Sequence, residues 1–324
     1  MNAIWVRAAR IAAIAAALLC APAAQAAETV IVGTVGSAST NQWPLQIGIE
    51  KGFFAAEGLA IDLIYVQSNT GVVQQLAAGS INVSVATGLV DPIRAIDKGA
   101  PVAIARIEGQ APPYALLAKP AIKSIAELRG KTISVGGAKD ITRIFLERML
   151  APNGVNPGEF DMVFAGATSA RFSALQSGAV DAALLTSPFN FHAVSAGFTN
   201  LGLTTQYVTD LPFSGTIVNQ NWAAANPGKV EKFVAVLTRS IAWFQDPANR
   251  AEAVKIMIAV SHLDAGDVEK SYDFLRDGAL FEPTGKVSRA KLANLIKVLR
   301  GLGDIEGSTD VERLLTPGLT QVSE

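Results

Sequence analysis

From Glu28 onward the chain alternates short apolar runs with segments whose apolar residues recur every three or four positions. Runs at residues 30–35, 61–66, 81–86 and 102–107 read as buried strands, and the stretches between them as amphipathic helices. That alternation is the rhythm of a parallel sheet covered by helices. A second series repeats it, with strands at 114–119, 132–135, 162–164 and 182–185 and helices at 140–150, 169–177 and 189–196. From about residue 226 the pattern turns helical throughout, with helices predicted over 227–244, 247–260, 265–275 and 288–300. Pro227 and Pro247 stand where a proline belongs, just inside a helix start. A helical tail needs a surface to cover, so this last third is expected to pack back on the first α/β unit.

The two α/β units also match weakly at a spacing of 99 residues, with Gly79 falling on Gly178, Asn82 on Asp181 and Thr87 on Thr186. Two explanations stand: a duplicated unit, or the recurrence that any helix–glycine–strand–cap unit shows.

The N-terminus bears on the compartment. Arg7 and Arg10 precede an apolar run over 11–21 and a small-residue stretch over 22–27, the pattern of a secretory signal peptide spanning 1–26, with Ala24-Gln25-Ala26 as its cleavage site. The apolar run is about half of the roughly 20 residues a bilayer demands, so cleavage and release into the periplasm are expected rather than anchoring. Cys20, the single cysteine, lies inside this segment, with Leu19 where a lipoprotein signal requires a small residue. The mature chain would then contain no disulfide, thiolate or cysteine-based metal site. Removing residues 1–26 takes two arginines and no acid, leaving 25 basic against 28 acidic side chains. A net negative chain argues against nucleic acid as a partner. Its length exceeds the size at which single cores stop growing, which favours two lobes.

In open α/β sheets, ligands bind beyond the carboxyl ends of the strands, where helix N-termini offer free N–H groups. The strand-to-helix loops are dense in hydroxyls, amides and glycines: Ser37, Ser39, Thr40 and Asn41; Ser68, Asn69 and Thr70; Thr87 and Gly88; Gly137, Lys139 and Asp140; Thr168; and Thr186 with Ser187. Each is individually a good helix cap. Their recurrence at every such loop marks a polar cleft, for which Trp43 and Phe189, with Tyr114 behind them, are candidate apolar walls. Catalytic constellations are poorly represented. The only histidines are His192 and His262, far from these loops in sequence, and no nucleophile elbow, phosphate-binding loop or zinc-protease motif occurs. The pair Gly33 and Gly36 lacks the third glycine of a dinucleotide loop, and Asp91, Asp140 and Asp181 are too dispersed for a calcium loop. No catalytic residue, metal or cofactor is expected.

The segment 48–59, reading GIEKGFFAAEGL, resembles the G-x-x-x-G-F-F-x-x-E-G-L stretch of periplasmic substrate-binding proteins of the nitrate/sulfonate/taurine type, and is similar also to their thiamine-precursor relatives. Segments 76–79 with 83–87, 125–131 and 174–182 follow in the family's order. The resemblance implies an α/β, type II periplasmic binding protein with two lobes joined by a two-strand hinge near 108–113 and 211–216. Lobe 1 would comprise 27–110 plus 215–324, including the helical C-terminal third, and lobe 2 would comprise 111–214. It implies a non-enzymatic protein that captures a small polar organic ligand and delivers it to the permease of an ABC transporter in the inner membrane, with a monomer as the default for a diffusing carrier. Lys139 is the only cation in the cleft loops proper, with Arg143 and Arg171 inside helices, so a neutral or singly charged ligand is expected over a dianion. Two alternatives differ in outcome: presentation of the ligand to a membrane sensor, and pyrimidine-precursor synthesis as in enzymes of the same fold. The latter depends on a cysteine-rich motif that the mature chain lacks.

Overall fold

The computed structural model describes residues 28–323, so the predicted signal peptide, its cleavage site and Cys20 lie outside the described residues. Strands β1 (Glu28–Val35), β2 (Leu59–Val66), β3 (Val83–Gly88) and β4 (Val102–Gly109) open the chain. They are followed by β5 (Tyr114–Ala118), β6 (Thr132–Val135), β7 (Asp161–Phe164), β8 (Ala182–Thr186), β9 (Thr199–Leu203) and β10 (Ser214–Asn219). They form two five-stranded sheets, ordered β2-β1-β3-β10-β4 and β7-β6-β8-β5-β9. Each sheet carries one antiparallel strand in the same fourth place: β10 between β3 and β4, and β5 between β8 and β9.

The weak sequence repeat therefore maps on matching positions. Gly79 and Gly178 both turn the chain with positive φ, at 78° and 80°. Three residues on, Asn82 accepts the Ile31 N–H through Oδ1 at 2.9 Å, and Asp181 accepts the Thr132 N–H through Oδ2 at 3.0 Å. In both lobes a short polar side chain ties the start of one strand to its parallel neighbour.

Helices cover the sheets. In the first lobe they are α1 (Trp43–Glu50), α2 (Phe53–Ala56), α3 (Asn69–Ala77) and α4 (Val90–Asp97), and in the second α5 (Ile141–Leu150), α6 (Thr168–Gln176) and α7 (Phe189–Ser195). The C-terminal third adds α8 (Gln220–Ala225), α9 (Pro227–Gln245), α10 (Arg250–Ser261), α11 (Ala265–Asp277), α12 (Arg289–Gly301) and α13 (Val311–Leu314). Pro247 opens a single 3₁₀ turn, capped by the Asp246 carboxylate on the Ala248 N–H, before α10 begins. The tail packs on the first sheet: Phe233, Phe244 and Tyr272 join Val30, Val83 and Trp43 in one buried cluster. It also shields the outer edge of β4, through bridges from Leu315 to Ile104 and from Phe281 to Gly109. The tail is not helical alone, since β11 (Val287–Ser288) pairs with β12 (Val322–Ser323).

The chain passes between the sheets twice, over residues 110–113 and 204–213. Residues 214–216, read from sequence as part of the second crossing, are already the start of β10. The stretch is half polar, yet all six residues are buried because two strands flank it. Three aromatic rings gather beside the crossings: Tyr114 lies 5.4 Å from Phe213 and 6.2 Å from Phe145. Around them one apolar cluster runs without a break from the first lobe to the second. Among the described residues, no helix is long and apolar enough to cross a membrane.

Candidate functional site

The carboxyl ends of β1, β2 and β3 face those of β6 and β7 across a cavity of about 40 Å³. The first lobe contributes Val35, Asn41, Gln42, Ser68, Asn69, Ala86 and Gly88; the second contributes Tyr114, Gly136, Asp140, Thr142, Gly166, Ala167, Thr168 and Arg171; and Phe213 comes from the returning crossover. The volume is far below the roughly 300–1,000 Å³ of drug-sized ligand pockets. The lobes are drawn together at this rim: a Cβ at Gly166, whose φ is +68°, would come within 2.4 Å of the Gln67 carbonyl oxygen across the cleft.

Each polar group in the wall is set by local sequence. Asp140 caps α5, its Oδ1 accepting from the Thr142 N–H at 2.9 Å and the Thr142 hydroxyl at 2.6 Å. Its Oδ2 accepts from Asn69 Nδ2 at 2.8 Å, while Asn69 Oδ1 accepts the Gly88 N–H at 3.1 Å. Ser68 caps α3 through the Gly71 N–H. Gln42 donates from Nε2 to the carbonyls of Val35 and Gly36, at 2.8 and 2.9 Å, which leaves its buried Oε1 without a partner. Ala86 holds a left-handed φ of 58°, costly for a residue with a Cβ. Its N–H is held by buried Glu108 Oε2 at 2.6 Å, and the other Glu108 oxygen accepts from Thr216. Burial pushes the Glu108 carboxyl above its usual range, against the opposing pull of these bonds and of Arg106.

Arg171 dominates the second-lobe wall. It is only 3 % exposed. One guanidinium nitrogen, Nη2, donates to Thr168 Oγ1 at 2.7 Å, whereas Nε and Nη1 are buried without partners. The group lies 5.3 Å from the Tyr114 ring centroid. The Tyr114 phenol is pushed up to about 12, chiefly by burial. From Arg171 a chain of hydroxyls leads across the cleft, with Thr168 Oγ1 3.2 Å from Thr186 Oγ1 and that atom 3.1 Å from Ser39 Oγ.

Of the residues singled out by sequence, Asn41, Ser68, Asn69, Gly88, Tyr114, Asp140 and Thr168 line the cavity. Ser39, Thr40, Thr186 and Ser187 form the seam beside it, where the Thr40 N–H donates to the Ser187 carbonyl at 3.0 Å. The others sit elsewhere. Trp43 is fully buried in the first-lobe core, edge-on to Phe244, and Phe189 packs on Phe172. The Thr87 hydroxyl turns inward to Ser84 at 2.8 Å, and that of Thr70 turns to Asp91 at 3.0 Å. Ser37 is exposed, and Gly136 rather than Gly137 forms the wall. Lys139 is 68 % exposed at its side chain and reaches Asp304 at 3.3 Å. Arg143 pairs with Glu147. Arg171, placed inside a helix by sequence, is thus the one of the three cations that reaches the cavity wall. Gln42 and Thr142 carried no sequence signal, since both lie one or two residues beyond a loop, in what reads as helix.

Beside the cavity, Arg94 on α4 binds the Lys139 carbonyl and the Asp304 carboxylate. Asp91, one turn earlier and 3.7 Å from Arg94, is pushed up from its ordinary value near 3.8 to about 6, first by burial and next by Asp140. No histidine or cysteine lines the cavity, and no cluster of three metal-ligating side chains occurs among the described residues.

Two sheets of identical order, a double crossing between them and a cavity at their facing strand ends define a type II periplasmic binding protein fold. Residues 39–250 match the NMT1/THI5-like family, and the chain belongs to it. Comparison with curated proteins returned no match. Among solved structures, the alkanesulfonate-binding protein SsuA from Xanthomonas axonopodis pv. citri, bound to MOPS, superposes with a TM-score of 0.72 at 17 % identity, covering 91 % of this chain and 98 % of that one. The periplasmic nitrate-binding protein NrtA from Synechocystis PCC 6803 gives 0.63 at 18 % identity, with coverage of 75 % and 69 %. The desulfurization enzyme DSZB gives 0.67 at 14 % identity, with coverage of 90 % and 97 %. At these identities the likeness is one of fold.

Proposed function

We propose that this chain is an exported solute-binding protein that closes its two lobes on a small polar organic ligand and delivers it to an ABC importer. The observation that carries the reading is the Arg171 guanidinium, buried at the lobe interface with two of its three nitrogens, Nε and Nη1, unpartnered. A buried donor without a partner costs about 1–3 kcal/mol, and more when charged. A ligand that supplies the partner therefore binds the closed form better than the open one, and that difference drives closure. The moving bodies are residues 27–110 with 215–324 and residues 111–214, hinged where the chain crosses between the sheets. The sulfonate- and nitrate-binding proteins of like fold support transport as the setting, and the predicted signal peptide supports the periplasm. A wall without histidine or cysteine supports binding over catalysis.

A thermal-shift and small-angle-scattering screen against small carboxylates, sulfonates and nitrate tests this. A true ligand at 100 times its Kd adds about 2.7 kcal/mol of stability and leaves the molecule compact. Turnover of any of these compounds, or stabilisation by none, would count against the reading. Loss of uptake of the ligand by cells lacking the protein tests delivery.

A further inference from the structure

Resting on the solute-binding reading, the chemistry of the wall narrows the ligand. The two lobes present opposite unmet needs. On the second lobe Arg171 offers two unpartnered donors, Nε and Nη1. On the first lobe Gln42, 2 % exposed, offers an unpartnered acceptor, Oε1. The amide cannot be turned to exchange these roles. Its nitrogen already serves two carbonyl oxygens, those of Val35 and Gly36, and an oxygen in its place would face both. Asp140 adds negative charge to the same wall and forms no ion pair among the described residues. A ligand that is only an acceptor, such as nitrate or a plain alkanesulfonate, answers Arg171 and leaves Gln42 unmet.

We propose that the ligand is a compact organic anion that also carries a hydrogen-bond donor, an amino or hydroxyl group, with its anionic end on Arg171 and its donor on the amide oxygen of Gln42. The molecule thus bridges the lobes with two different functional groups. The carboxylate of Asp140 favours an ammonium as the donor. The cavity of about 40 Å³ compares with about 10–15 Å³ for one water by the same measure, so the body joining the two ends is short, two or three carbons.

Calorimetry on the purified protein with matched sets tests this: propanoate, 2-hydroxypropanoate and 3-aminopropanoate, and ethanesulfonate with its 2-hydroxy and 2-amino derivatives, with nitrate as the donor-free control. The expected result is that a donor-bearing member binds at least about tenfold tighter than its plain parent, since a site built to bond a donor rejects the analogue lacking it. In Gln42→Met that ratio falls to about one, while Arg171→Met loses the whole set. Equal affinity for plain and donor-bearing members overturns the donor requirement and leaves solute binding standing. Absence of both binding and compaction with every member overturns both. Should Gln42→Met fail to fold, the ratio on the unaltered protein decides alone.

Discussion

Asn69 on the first lobe and Asp140 on the second are joined by a 2.8 Å hydrogen bond across the cleft, with the other half of the Asn69 amide fixed by the Gly88 N–H. The closed arrangement thus has a polar fastening at the cavity wall independent of any ligand. Asn69→Asp sets two carboxylates face to face and should open the ligand-free protein, seen as a larger radius of gyration, and weaken ligand binding by about tenfold or more, as like charges in contact repel by a kcal/mol or more. Asn69→Leu, which removes the bond without adding charge, should do less.

Gly166 gives a steric test of closure. Alanine there must both accept a left-handed φ and place its Cβ against the Gln67 carbonyl oxygen. Because the clash lies between the lobes, Gly166→Ala should prop the cleft open, lowering ligand affinity far more than stability. Equal compaction of variant and parent by ligand in scattering would sink this expectation.

Removing Arg171 should separate stability from binding. Its charge is buried against the Thr168 hydroxyl and the Tyr114 side chain without an ion-pair partner among the described residues. Arg171→Met is therefore expected to leave the ligand-free protein unchanged or more stable by up to about 2 kcal/mol, while abolishing stabilisation by ligand. Denaturant titration with and without ligand reads both effects.

Asp91 ties stability to pH. Its folded carboxyl is pushed up to about 6 from an ordinary value near 3.8, so between those values the folded state holds a proton that the unfolded state has released. Stability from this group is present at acid pH and is lost as pH rises through about 6. Asp91→Asn keeps an acceptor for the Thr70 hydroxyl and removes the charge. It should raise stability at pH 7 by about 1–3 kcal/mol and flatten this part of the pH profile, measured by thermal melts from pH 4 to 8.

Trp43 serves as the control for core against site. Fully buried and edge-on to Phe244, it should cost about 3–5 kcal/mol as Trp43→Ala with ligand affinity little changed in the protein that still folds.

Eight strands of the two large sheets were legible because each is a short apolar run bounded by turns: the predicted 132–135 is β6 itself, and 102–107 falls inside β4. The two strands of these sheets that escaped, β9 and β10, lack that mark. Thr199–Leu203 is an edge strand interrupted by Gly202, and Ser214–Asn219 is polar at half its positions yet buried by its neighbours. For the site, the rule that ligands gather at strand ends pointed to loops that meet at one cavity, and it brought Asn69, Asp140 and Thr168 with it. Of the three aromatics it suggested, Tyr114 lines that cavity, whereas Trp43 and Phe189 are drawn into cores by their area, and the Thr87 hydroxyl finds a partner within its own strand. Arg171 and Gln42 stand behind the loops on helical residues, so only three-dimensional packing shows that their polar ends are left unmet.

The place of β10 has a consequence for how the chain is made. β3 and β4 lie on either side of it and are joined only through it, so the first sheet stays in two pieces until residue 219 has emerged. The second sheet draws all its strands from 114–203 and can assemble without waiting. The lobe begun first is therefore finished last, and until β10 arrives the facing edges of β3 and β4 stand open to any other strand. For the exported carrier proposed above, which must cross a membrane unfolded, this order is favourable: its most distant contacts, which are slow to form, must be in place before its first lobe can close up.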